Sequence, residues 1–179
     1  MNNVGGLNNA TYSFLDIEDT EWTRAFDINL LSTVRATRAA LPSLIERHGT
    51  IVNISSAAAR ILAAAPATYS SAKAALTALG KSLAEEFGPR GVRVNTISPG
   101  LVRTSVYENP DGPAAKMAAA AGMSLAELAQ QLVKAQNITT GRMTEADEVA
   151  ALIAFLLSDV AGNITSADYV IDGGTIKTV

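Results

Sequence analysis

The chain has 179 residues, with 14 Lys and Arg against 17 Asp and Glu for a net charge of −3, which excludes the basic face a nucleic-acid binder needs. Hydrophobic residues make up 48% and charged residues 17%, enough to bury a core and unlike a disordered chain. With no cysteine and one histidine, His48, disulfide scaffolds, thiolate metal sites and multi-histidine metal sites are excluded.

In chain order, Asp16 to Arg47 carries Trp22, Phe26, Leu30, Val34 and Leu41 at spacings of four and seven, which predicts a helix. Thr50-Ile-Val-Asn-Ile-Ser55 is a β-branched run after a glycine and predicts a strand. Thr68 to Phe87 places Leu76, Leu79, Leu83 and Phe87 on one helical stripe that ends at Gly88-Pro89. Val92 to Ile97, between Gly91 and Pro99, predicts a second strand. Ala114–Gly122 is alanine-rich and reads as a mobile loop or a helical segment. Ser124-Leu-Ala-Glu127 has the form of a capping box opening a helix to about Gln136. Thr144 to Leu157 predicts a helix with Val149, Leu152, Ile153, Leu156 and Leu157 on its apolar face, and Tyr169-Val-Ile171 a last strand before Asp172-Gly-Gly174. Strands joined by long helical crossovers imply a parallel sheet covered on both faces. Every apolar run is interrupted short of a membrane span, and Met1–Gly6 lacks the basic and apolar regions of a signal peptide. A soluble, cytoplasmic protein is expected.

Tyr69-Ser-Ser-Ala-Lys73 puts a phenol and an ammonium at i and i+4 on one helical face. A nearby cation favours the phenolate and lowers the phenol's pKa, which suits the pair to proton transfer; the same spacing also fits a helix-surface contact. Ser55-Ser56 ends a buried-type strand, at the edge where open α/β sheets bind ligands. A serine there can hydrogen-bond a substrate oxygen or cap a turn. Ser98-Pro99-Gly100 to Thr104 ends the next strand at that same edge, and Pro-Gly allows a sharp turn and a close approach. Asn29 interrupts an apolar helix and points to a kink or to a polar role. His48 precedes a strand at the end opposite Ser56 and no Gly-x-Ser-x-Gly elbow is present, so it reads as a helix-end residue rather than a triad base. The carboxylates show no metal-ligand spacing.

Asn2-Asn-Val-Gly5, the helix with Asn29-Leu30, Val52-Asn-Ile-Ser-Ser56, Tyr69-x-x-x-Lys73, Arg93-Val-Asn95, Pro99-Gly100, Gly141-Arg-Met-Thr144, Glu148-Val-Ala150 and Asp172-Gly-Gly174 occur in the order and spacing of the short-chain dehydrogenases/reductases. The chain resembles that family over essentially its whole length. Among subgroups it is similar to the one holding 3-oxoacyl-carrier-protein reductases and sugar or steroid alcohol dehydrogenases. The resemblance implies a Rossmann-type doubly wound sheet and hydride transfer between NAD or NADP and a small carbonyl/alcohol substrate. It implies that Tyr69 is the general acid/base, that Lys73 lowers its pKa and holds the nicotinamide ribose, and that Ser56 orients the carbonyl. Asn29 would hold a relay water, while Asn3, Pro99, Gly100, Val102 and Thr104 would line the cofactor. Residues 104–140 would form the variable lid, with Val106, Tyr107, Met117, Met123 and Leu125 giving an apolar pocket. It further implies a homo-oligomer, a dimer or tetramer, built on the helices at 16–47 and 68–87.

The family's Thr-Gly-x-x-x-Gly-x-Gly turn, which holds the cofactor pyrophosphate, does not occur in this sequence, nor does the second-strand residue that separates NAD from NADP. The expectation is one partial Rossmann-type domain over residues 1–179, holding the family's fifth, sixth and seventh strands. The fifth strand would have an unpaired edge, and the chain alone would bind nicotinamide cofactor poorly. Two explanations follow: a longer reductase, with Met1 standing where a valine codon is read as a start, or a non-catalytic binding or oligomerisation module.

Overall fold

The computed structural model describes residues 1–7, 13–62 and 65–178. Its centre is a parallel sheet of β1 (Thr50–Ile54), β2 (Arg93–Pro99) and β5 (Asp168–Ile171), in the order β1-β2-β5. Side chains alternate across the sheet, as the pleat requires. Ile51 and Val94 face one side and pack with Val92, Ala84, Leu44, Leu83 and Phe87, which come mainly from α2 (Ser32–Glu46) and α3 (Ala67–Phe87). Val52 and Ile97 face the other side, against Val149, Leu152 and Leu156 of α7 (Ala146–Leu157). Helices on both faces of a parallel sheet make the doubly wound arrangement that the strand–helix order implies.

The predicted first helix is α1 (Asp19–Phe26) and α2 joined through one π turn at Asp27–Leu31. Asn29 explains the break. Its Nδ2 donates to the carbonyl of Ala25, four residues back, at 3.0 Å, and competes with the backbone for that acceptor. The helix widens so that the Ser32 N–H reaches Asp27 instead.

The edge of β1 is not bare. Asn2 N–H donates to the Val52 carbonyl and the Asn2 carbonyl accepts from Ile54 N–H, each at 2.9 Å, forming a single parallel bridge to Asn53. The Asn2 side chain adds hydrogen bonds to Thr37 Oγ1 and Asn53 Oδ1. The expected open edge is therefore stapled by the first residues of the chain.

Further differences concern the second half. Ala114–Gly122 belongs mostly to α5 (Pro113–Ala120) rather than to a loop. Thr144 and Glu145 do not begin α7; they form β4, paired in parallel with β3 (Val102–Arg103), and the helix starts at Ala146. Residues 104–140 hold α4 (Ser105–Glu108), α5 and α6 (Leu125–Ala135), with Ser124 and Glu127 closing the predicted capping box. Tyr107, Met123 and Leu125 are half-buried and pack with Leu132 on Ala114, Ala118 and Leu128 as a small separate core. Only Val106 and Met117 of the expected pocket residues remain exposed.

α3 lies close on the sheet at Gly80, where an added Cβ would come 2.6 Å from Thr96 Oγ1 and 3.3 Å from Asn53 Nδ2. Gly80→Ala is expected to destabilise the fold by about 1–3 kcal/mol through overpacking, read as a lower urea midpoint with an unchanged slope.

Candidate active site

Parallel strands bring their C-terminal ends to one edge, so Ser55 and Ser56 after β1 stand beside Pro99 and Gly100 at the end of β2. α3 runs back over that edge from Ala67 and delivers Tyr69 and Lys73, one turn apart. The two elements are clamped where they meet. Ser55 Oγ donates to the Lys73 carbonyl at 2.9 Å and shares a hydrogen bond with Thr77 Oγ1. Lys73 Nζ donates to the Ile54 carbonyl at 2.9 Å. Ser55 entered the sequence reading only as a member of the Val52–Ser56 run; the clue to this clamp was its place, next to Ser56 at a strand end.

Ser56 Oγ accepts from Ala58 N–H at 3.1 Å and caps a short 3-10 turn, Ala57–Ala59. It also lies beside the Tyr69 phenol, whose pKa it lowers. Both readings of this serine, turn cap and polar group facing the site, hold together.

The electrostatics differ from the sequence expectation. Burial raises the Tyr69 pKa above the ordinary phenol value, and the Ser56 hydrogen bond pulls it only partly back. Lys73 does not supply the expected lowering, because its ammonium sits over the ring, 5.7 Å from the centroid, and bonds Ile54 rather than the phenol oxygen. Burial also drives Lys73 itself down, to about 8 from 10.5, since an ammonium with few polar partners is poorly solvated there.

Asn29 is fully buried and holds the backbone of Gly6 from both sides, accepting its N–H at 2.9 Å and donating to its carbonyl at 3.1 Å. This clamp lays Gly5 across the Lys73 head. A Cβ on Gly5 would meet Asn29 Oδ1 at 2.7 Å and Lys73 Nζ at 2.9 Å, so only glycine fits here, a feature that Asn2-Asn-Val-Gly5 carried without its reason. The structure thus unites Ser56, Tyr69, Lys73 and Asn29. Asn3 is exposed beside the Asn2 bridge, and the Val102 side chain packs into the sheet core. Thr104 is exposed at the start of α4, where its side chain caps nothing.

His48 is exposed at the end of α2 with φ 51°, its ring packed on Gly91, and lies at the start of β1, away from Ser56. A cavity of about 680 Å³ between α6 and residues 137–143 is lined by Arg103, Lys134, Arg142 and Met143 and by none of the four residues above. Its arginines are already paired, Arg103 with Glu145 and Arg142 with Glu148 through two hydrogen bonds. It is not the reaction site. Among the described residues no cluster of His, Asp and Glu could hold a metal ion, and no helix is long and apolar enough to cross a membrane.

A doubly wound sheet with serine, tyrosine and lysine gathered at its C-terminal edge is the arrangement of a short-chain dehydrogenase/reductase. The chain belongs to that family: residues 1–175 match the family described as Enoyl-(Acyl carrier protein) reductase. It is 38% identical over 180 residues to D-threitol dehydrogenase of Mycolicibacterium smegmatis, covering 99% of this chain and 62% of that protein. It is 35% identical over 178 residues to the 3-alpha-(or 20-beta)-hydroxysteroid dehydrogenase of Mycobacterium bovis, covering 98% of this chain and 59% of that protein. The L-sorbose reductase of Gluconobacter frateurii, solved with NADPH and L-sorbose, superposes with a TM-score of 0.90 at 27% identity, covering 99% of this chain and 66% of that one. An NADPH-bound short-chain oxidoreductase of Pseudomonas aeruginosa superposes at 0.82 and 27% identity, covering 98% of this chain and 65% of that one. The family uses NAD(P) and its members are oxidoreductases. The chain spans about three-fifths of the length of the two curated relatives.

Proposed function

We propose that residues 1–179 form a single partial Rossmann-type domain carrying the proton-transfer half of an NAD(P)-dependent reductase of a small carbonyl substrate. The observation that carries this reading is the half-buried Ser56 and Tyr69 side by side, with the Lys73 ammonium over the ring. Ser56 orients the carbonyl oxygen and Tyr69 gives it a proton. A bound nicotinamide supplies the hydride. Because the Tyr69 pKa is raised, the phenol stays protonated at neutral pH and is ready as an acid, which favours carbonyl reduction over alcohol oxidation there. Lys73, titrating near 8, is the group able to return a proton to Tyr69. Asn29, fully buried beside the Lys73 head, is the residue that would hold a relay water between Lys73 and solvent.

The nicotinamide half of the cofactor fits the chain. Lys73 Nζ spends one of its three hydrogens on Ile54, and the backbone after β2 is pinned by the close packing of Gly100 on Asp172, 2.7 Å from a Cβ placed there. Lys73 would hold the ribose, Tyr69 would lie beside it, and Asn3, Pro99, Gly100, Val102 and Thr104 would border the ring. The substrate is a small alcohol or ketone, as the names of the relatives suggest, the lid at 104–140 sets its shape, and the protein works in the cytoplasm as a homo-oligomer.

The test uses the chain alone and the chain fused to the part of D-threitol dehydrogenase that the match does not cover. NAD(P)H consumption with a panel of ketoses and steroid ketones is expected in the fusion, with weak cofactor binding by the chain alone in calorimetry. A folded fusion that binds NADPH yet reduces none of them would reject the reading.

A further inference from the structure

Ala57 and Ala58 are buried, but few hydrogen bonds tie the turn that carries Ser56 to the sheet. Its backbone hydrogen bonds are internal: Ala59 to Ser56, and Arg60 and Ile61 to Ala57. One side-chain link among the described residues leaves the turn for the sheet. Arg60 reaches across to Asp168 on β5, with its Nη2 2.7 Å from Oδ2. The Asp168 side chain is 4% exposed, and its other oxygen accepts from Ser98 Oγ at 2.7 Å. Ser98 lies on β2, beyond Thr96, the direct partner of Asp168 in the β2–β5 register. Both carboxylate oxygens are therefore engaged, one by the neighbouring strand and one by the turn after β1.

We propose that Asp168 and Arg60 are positioning residues for the reaction site: the buried carboxylate, fixed to β2 through Ser98, holds Arg60 and with it the turn that keeps Ser56 against Tyr69. The geometry makes the link selective. Ser56 and Arg60 flank the three residues of one 3-10 turn, so a pull on one end sets the other. The Asp168 carboxylate is shielded from water while the half-exposed Arg60 covers it, so parting the pair leaves a charge without its partner. Nothing else about Arg60 calls for an ion pair 108 residues away.

The proposal rests on Ser56 and Tyr69 being hydrogen-bonded, and its test needs no turnover. Tyr69 is titrated by its phenolate absorbance, with the Tyr69→Phe chain as the blank. Ser56→Ala is expected to shift the titration upward, since the bond that lowers it is gone. Arg60→Met is expected to shift it in the same direction, to add little when combined with Ser56→Ala, and to be rescued by Arg60→Lys. No shift, a downward shift or full additivity with Ser56→Ala overturns the proposal, whatever happens to the melting temperature. If Arg60→Met does not fold, Asp168→Asn is read by the same criteria. A chain that shows the coupled shift while the fusion above stays inactive would remove the proposed reaction and leave the positioning role standing.

Discussion

Tyr69→Phe is expected to lower kcat for carbonyl reduction by about 10²–10⁴-fold, the range a positioned proton donor contributes, with the KM for NAD(P)H unchanged within about two-fold. The ring is what Lys73 packs beneath, at 5.7 Å from its centroid, so phenylalanine keeps that contact and the packing of α3. The oxygen alone is lost. With it goes the acid whose pKa burial holds above the ordinary value, and an alkoxide left at the carbonyl carbon must then take its proton from water. Ser56 keeps its bond to Ala58 N–H, so the turn persists and the variant folds. The measurement is NAD(P)H absorbance at saturating substrate, in the fusion or in any longer protein containing this chain. A kcat within a few-fold of the unsubstituted protein would remove Tyr69 from the reaction.

The same geometry shows what the sequence could and could not announce. β1, β2 and α3 were legible because their signals are local: β-branched runs that follow a glycine, and a leucine stripe ending at Gly88-Pro89. The capping box of Ser124 and Glu127 was legible for the same reason, as four residues carry the whole motif. Thr144 and Glu145 were misread since a two-residue strand has no period of its own, and only its partner at Val102–Arg103 makes it a strand. The packing of Met123 and Leu125 on Ala114, Ala118 and Leu128 was not legible, because apolarity does not tell which core a side chain joins.

The spacing of Tyr69 and Lys73 fixed their shared helical face but not where the ammonium would go. That depends on the Ile54 carbonyl, supplied by a different element. Burial then reversed the expected shift of Tyr69, a tertiary property that i, i+4 spacing does not encode. The Arg60–Asp168 pair joins the loop after the first strand to the last strand. No motif spans such a distance, so the positioning link was invisible until the sheet was assembled. Asn29 lies between these cases: a polar residue in an apolar helix flagged the position, and the clamp on Gly6 gave it a purpose.

Lys73 makes the second large effect, on stability rather than rate. The folded chain holds its pKa near 8, against 10.5 for the free side chain. Between about pH 8 and 10 the unfolded chain keeps a proton that the folded chain has given up, so stability rises with pH. Each unit of difference is about 1.4 kcal/mol, which puts the full effect at about 3 kcal/mol. Below pH 8 both states hold the proton and the whole penalty of burying an ammonium is present. Tyr69 acts in the opposite sense at the upper end. Its folded pKa is raised, so above about pH 10 the unfolded phenol ionises first and stability falls again. Urea unfolding of the chain is therefore expected to show stability climbing from pH 8 to a maximum near pH 10. The Lys73→Met variant lacks the climb, and the Lys73→Met/Tyr69→Phe pair is flat in both directions once the shared background is subtracted. Equal slopes for the chain and Lys73→Met would mean that the amine titrates as it does in water. Lys73 would then stay charged throughout the working range, and its drive to return a proton to Tyr69 would be weaker than burial makes it.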